Sequence, residues 1–220
     1  MESSAAAGTG TTAIKLGVGV IPLDTRPPAT IAHDVESHEL PLGRLLLGVG
    51  SGGGRDALAR VRAGVSELEQ ETSATIVVGA LGPKMAQLAG EVADGVLLNW
   101  MTSAYLAHAG ELVREAAEDA GRPDPSLMAY VRCGLMPGAA PRLAQEIAHY
   151  DSVTYFHEHL ARMGASARDT CVLAADGEEL QAGISRFEAV LDETIVRAIT
   201  PTDDLGDLQQ LLRACAPGRA

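Results

Sequence analysis

Apolar positions along the chain fall into short continuous runs, separated by longer stretches in which they recur every three or four residues. The runs at 14–21, 44–49, 75–78, 95–98, 127–133 and 193–199 read as six β-strands. The intervening stretches at 28–39, 56–71, 83–92, 103–120, 140–150, 153–163, 178–191 and 204–215 carry helical periodicity. Strands and helices alternate. That order predicts an α/β domain with a parallel sheet covered by helices, because parallel neighbours need a crossover and the crossover is normally a right-handed helix.

Several strands run into glycine or asparagine shortly before the next helix begins: GVGSGGG after the second, VVGALGP after the third, LLNW after the fourth. In an open sheet, ligand-binding loops concentrate at one switch point; in a closed barrel they form a rim. Distinctive loops spread over several units favour a TIM-barrel-like arrangement. No interdomain linker stands out, so residues 1–220 read as a single domain.

Composition narrows the picture. Apolar residues make up 46% of the chain and aromatics 3%, so the core must be built from Ala, Val, Leu and Ile, as in buried parallel strands. A formal net charge of -12 argues against a non-specific nucleic-acid binder, which needs a basic face. No window resembles a membrane span, and MESSAAAGTG lacks the basic and apolar regions of a signal peptide, so a cytoplasmic protein is expected. Cys133, Cys171 and Cys215 are widely spaced and read as reduced thiols. Only Lys15 and Lys84 are lysines among 17 basic residues, which with the abundant Ala and Gly points to a GC-rich genome.

Three loops carry candidate chemistry. In VVGALGPK, Gly79 to Gly82 bring bare backbone close to a ligand, and Pro83 suits the first helical position. The N–H groups that follow, with the helix dipole and Lys84, make an anion site suited to phosphate; a tight turn needing glycine for geometry alone is the competing reading. In GVGSGGGRD, five glycines in seven residues exceed what a turn requires, and Ser51 places a hydroxyl beside exposed N–H groups. The stretch is neither a P-loop nor a convincing dinucleotide fingerprint. In LGVGVIPLDTRPP, Gly17, Gly19 and Pro22 interrupt the first strand and suggest a bulge against which a flat ligand packs.

Taken in order, LGVGVIPLDTRPPATIAHDV, RLLLGVGSG and VGALGPKMAQLAGEVADGVLLNW resemble the third to sixth strands of the luciferase-like monooxygenase family, in its branch dependent on coenzyme F420 or FMN. The resemblance implies a (β/α)8 barrel with the isoalloxazine or deazaflavin ring at its C-terminal rim, and a bulge in the third strand, often with a non-prolyl cis peptide, behind the ring. The matching bond is Gly19–Val20. Ser51 and Gly52 match positions lining the cofactor, and Gly79, Ala80, Leu81, Gly82, Pro83 and Lys84 match the phosphate loop.

The resemblance also implies a departure. About six of eight strands are present, so roughly 60 residues, two βα units, are missing from the front. Residues 1–12 look like the tail of the helix before the family's third strand. The missing second strand often supplies the acid–base partner, so no catalytic residue is assigned. The expected function is a flavin- or F420-dependent oxidoreductase or monooxygenase acting on a small organic substrate, F420 being favoured modestly by the composition. The alternative is a non-catalytic, pseudoenzyme-like shortened barrel that binds a cofactor or a partner chain. A homodimer would cover the exposed edges.

Other residues invite chemistry less strongly. His157 and His159 point about 200° apart on a helix and cannot share a metal ion; no metal site is expected. His33 reads as a helix-surface residue and Asp94 as the cap of a turn. Trp100 is either a substrate wall or packing. Arg132 and Arg197 are either partners for an anion or members of structural ion pairs.

Overall fold

The computed structural model describes residues 1–216. The described chain divides into two compact units, Met1–Leu97 with Glu111–Ser126, and Leu98–Gly110 with 127–216. Among the described residues no helix is long and apolar enough to cross a membrane.

The first unit runs α1 (Glu2–Gly10), β1 (Leu16–Pro22), α2 (Pro28–Ser37), β2 (Leu45–Gly50), α3 (Ala57–Glu71), β3 (Thr75–Ala80) and α4 (Pro83–Val92), then most of β4 (Gly95–Asn99) and the second half of α5 (Ser103–Asp119). β1 pairs with β2 in parallel from Leu16 against Leu45, and β2 with β3 from Leu46 against Thr75. In β2, Leu45, Leu47 and Val49 are buried on one face and Gly48 and Gly50 on the other, as expected of a parallel strand covered on both faces. α3 turns Val61, Val65 and Leu68 inward at helical spacing.

β1 carries the expected irregularity: its register with β2 shifts between Val18 and Ile21. The strand begins at Leu16 and not at Ile14, because Ile14 belongs to the connection from α1. There the Arg44 guanidinium gathers the carbonyl oxygens of Gly8, Thr11 and Ile14 at 2.6–2.8 Å and closes the C-terminus of α1.

The second unit holds β5 (Ser126–Leu135), α6 (Ala139–Asp151), α7 (Thr154–Met163), β6 (Cys171–Ala174), α8 (Gly177–Glu188), β7 (Glu193–Ala198) and α9 (Leu205–Cys215). β5 runs parallel to both β6 and β7, Arg132 lying opposite Cys171 on one and Arg197 on the other. All six strands expected from the apolar runs are present. β6 is an addition: the short run Cys171–Ala174 alternates half-buried and buried positions, and it follows a 3-10 turn opened by a Ser166–Asp169 capping box.

Asp94 acts across strands and not within its own turn. Its carboxylate accepts the Ile76 N–H at 2.8 Å, while its own N–H donates to the Ile76 carbonyl at 2.9 Å. Asp192 repeats the arrangement in the second unit, its carboxylate 2.7 Å from the Leu127 nitrogen and its N–H 2.9 Å from the Leu127 oxygen.

Candidate cofactor site

In the first unit the C-terminal ends of β1, β2 and β3 meet at one side chain. The Gly19–Val20 peptide is cis, at the bond that the family resemblance singled out. Val20 is 45% exposed and lies across the neighbouring strand ends: a Cβ on Gly50 would fall 2.6 Å from one Val20 methyl, and a Cβ on Gly79 2.8 Å from the other. Only glycine fits at either position. Below them, Gly19 and Gly48 touch backbone to backbone, a Cβ on Gly19 standing 3.3 Å from the Gly48 Cα. The outcome is an exposed apolar ledge with a glycine floor, shaped for a flat ring.

Beside the ledge, Gly79 and Ala80 end β3, Leu81 and Gly82 make the turn, and Pro83 occupies the first position of α4. The Gly82 carbonyl accepts from Met85 at 3.1 Å and Ala86 at 3.0 Å, so the first turn is closed. The N-cap has no side chain, and the Lys84 N–H stands too early in the helix for an intrahelical acceptor. Lys84 is exposed in that turn. Bare amides and the positive end of a helix thus meet where a phosphate was expected, with Lys84 in the same turn.

The loop after β2 is built differently. Ser51 and Gly52 stand at the rim, but the Ser51 hydroxyl donates to the Gly52 carbonyl at 3.1 Å. The Gly53 N–H donates to the Asp24 carboxylate at 2.7 Å. From α3, Arg60 donates to the carbonyls of Ser51 (2.9 Å), Gly53 (3.0 Å) and Arg55 (3.0 Å). Asp24 and Arg60 escaped the sequence reading because nothing in their spacing marks them: one precedes Gly53 by 29 residues and the other lies inside a regular helix.

Of the residues singled out in the second unit, Trp100, Arg132 and His159 are buried together, and Arg197 is exposed beside them. The Arg132 guanidinium lies 3.3 Å from the centre of the Trp100 ring and donates to Glu146 at 2.6 Å and to the Asn99 side-chain oxygen at 2.8 Å. Arg197 reaches the other Glu146 oxygen at 3.2 Å. Tyr150 and Phe156 meet the Trp100 ring edge-on at 5.0 and 5.1 Å, and His159 is hydrogen-bonded to the Trp100 carbonyl at 2.8 Å. Trp100 is 1% exposed, so packing is its role, and Arg132 is a structural ion-pair member. Burial lowers the Arg132 pKa from its ordinary value and Glu146 opposes the fall.

The other histidines separate as expected: His157 and His33 are exposed while His159 is buried. All three cysteines are free. A hydrogen bond to Cys215 and burial push the Cys133 thiol up, and burial pushes Cys171 up to about 11.

Parallel strands whose C-terminal ends present glycine, joined to an open helix terminus, define an α/β protein with a candidate binding site at the strand ends of its first unit. The model of the luciferase-like monooxygenase family matches residues 61–211, more than half of the chain, and the protein belongs to that family. A 5,10-methylenetetrahydromethanopterin reductase of Methanolobus tindarius is 31% identical over an alignment taking in 52% of this chain and 46% of the relative. The chain thus spans about half the length of that relative. Among solved structures, an F420-dependent secondary alcohol dehydrogenase with an F420–acetone adduct is similar with a TM-score of 0.75 at 14% identity, over 96% of this chain and 82% of its own. The coenzyme F420-dependent tetrahydromethanopterin reductase of Methanopyrus kandleri gives 0.69 at 17% identity, over 96% and 84%. The oxygenating constituent of 3,6-diketocamphane monooxygenase from Pseudomonas putida, in complex with FMN, gives 0.64 at 18% identity, over 96% and 80%. These likenesses show the TIM-barrel-like fold class of the luciferase-like enzymes.

Proposed function

We propose that the chain binds a phosphorylated flavin-type cofactor, F420 or FMN, and serves as an oxidoreductase or monooxygenase on a small organic substrate. The observation that carries this reading is the glycine-floored ledge at Val20 beside the open N-terminus of α4, in a chain of the luciferase-like family. The residues fit the group: any side chain at Gly50 or Gly79 would collide with Val20, and the N-cap of α4 has no side chain to fill the phosphate position.

In this reading Gly19 and Val20 back the ring, Ser51 and Gly52 border it, and Gly79, Ala80, Leu81 and Gly82 let the phosphate approach main-chain amides. Pro83 fixes the helix entry and Lys84 contributes charge. The bound cofactor supplies hydride transfer or, as FMN, oxygen activation, while the protein orients and shields it. The composition favours F420. A cytoplasmic homodimer completes the proposal.

The test is titration of the purified chain with F420 and with FMN, followed by fluorescence. Near-stoichiometric uptake of one of them is expected. Gly82→Val should weaken that uptake about tenfold or more by obstructing phosphate approach, with the melting temperature little changed. A folded chain that takes up neither cofactor would overturn the reading in favour of a non-catalytic relative.

A further inference from the structure

The two glycine-rich turns of the first unit look alike in sequence, yet one of them already contains an anion. Asp24, in the turn after β1, directs one carboxylate oxygen to the Gly53 N–H at 2.7 Å. The carboxylate presses against Gly52 so closely that a Cβ there would fall 1.8 Å from its other oxygen, and Gly52 itself sits at φ +67. Opposite, the Arg60 guanidinium holds three carbonyls of the loop at 2.9–3.0 Å, which keeps those oxygens turned toward α3.

A carboxylate accepting a loop amide makes the same charge-assisted contact that a phosphate oxygen would make in such a turn. The turn at Gly82–Lys84 contrasts with this, since no side chain caps its helix. We propose that Asp24 determines ligand selectivity: it fills the anion position of the Ser51–Gly54 loop, so that the rim takes one phosphate at Gly82–Lys84 and refuses ligands that would bring a second to the neighbouring loop. The class excluded is the dinucleotide type, with its additional phosphate; the class admitted carries a single phosphate near the ring.

The proposal rests on the assignment of Gly79–Lys84 as the phosphate site. Two physical effects act together. An incoming anion meets a fixed negative charge, and the Gly53 amide it needs is occupied. Removing the carboxylate frees that amide above an arginine already anchored in the loop, which turns a repelling position into an attracting one.

Calorimetric titration with inorganic phosphate separates the two assignments. The wild-type chain should bind one phosphate and Gly82→Val should bind it at least tenfold more weakly, which reads the Gly79–Lys84 site alone. Asp24→Ala in the Gly82→Val background should recover one phosphate, at least tenfold tighter than Gly82→Val by itself. Asp24→Asn keeps an acceptor for Gly53 and removes only the charge, so the loop stays folded; in the same background it should tighten phosphate at least threefold. Unchanged phosphate affinity in both Asp24 variants would overturn the proposal, whatever Gly82→Val alone shows.

Discussion

Val20 is a large apolar side chain left 45% exposed, and the reason lies in what surrounds it. Gly50 is buried at the end of β2 and has no freedom to retreat, and a Cβ there would stand 2.6 Å from a Val20 methyl. Gly50→Ala should therefore force Val20 off its rotamer or shift the strand end, at a cost of about 1–3 kcal/mol in urea denaturation. Adding Val20→Ala removes the methyls that collide, and the double variant should recover most of the loss. Recovery is the signature of a direct contact, because distant sites add and touching ones do not. Strictly additive losses would mean that Val20 does not rest on Gly50. Such a contact makes the ledge a product of two deletions and one insertion of bulk: side chains absent from Gly50 and Gly79, and a branched one supplied by Val20.

At the level of elements, the same device fixes strand register in both units. Asp94 and Asp192 each stand immediately before their strand and grip both main-chain groups of a residue near the start of a parallel neighbour. Leu127 is fully buried, so Asp192→Ala leaves its N–H without an acceptor and should cost about 1–3 kcal/mol in thermal or urea unfolding. Asp192→Asn retains an oxygen and should cost less than half as much; equal losses would show that hydrogen bonding is not what Asp192 contributes. Periodicity alone placed the six longer strands and the eight helices after β1, since burial on one or both faces imposes that pattern. β6 went unrecognised although its short apolar run resembles those at 75–78 and 95–98, and periodicity could not show that Asp94 reaches sideways to β3 and not into its own turn. The two glycine loops were equally visible and equally ambiguous. What separates them is Asp24 and Arg60, partners fixed by the fold and not by spacing. Trp100 and Arg132 were undecided for the same reason until Glu146, Tyr150 and Phe156 closed around them.

For the molecule as a whole, the acidic balance sets a pH profile with two opposing parts. The net charge of -12 at pH 7 falls toward zero as the pH approaches the isoelectric point near 4.8, and the relief of self-repulsion favours the folded chain. Against this stand carboxylates held below their ordinary 3.8: Asp34 by the hydrogen bond and charge of Arg26, Asp169 by the Ser166 hydroxyl and amide, Asp204 by the Asp207 amide and the Thr202 hydroxyl. Each is harder to protonate folded than unfolded, so its stabilisation is complete above the unfolded value and is lost as the pH falls through the lower folded value. Urea midpoints should hold or rise from pH 7 to about 5 and then decline below about 4. Asp169 is exposed, and its share comes from the capping box and not from burial. Asp169→Asn should accordingly flatten part of the acid decline while costing little at pH 7, because the amide oxygen still serves as a cap. A decline of the same steepness in that variant would place the acid sensitivity elsewhere than in these caps.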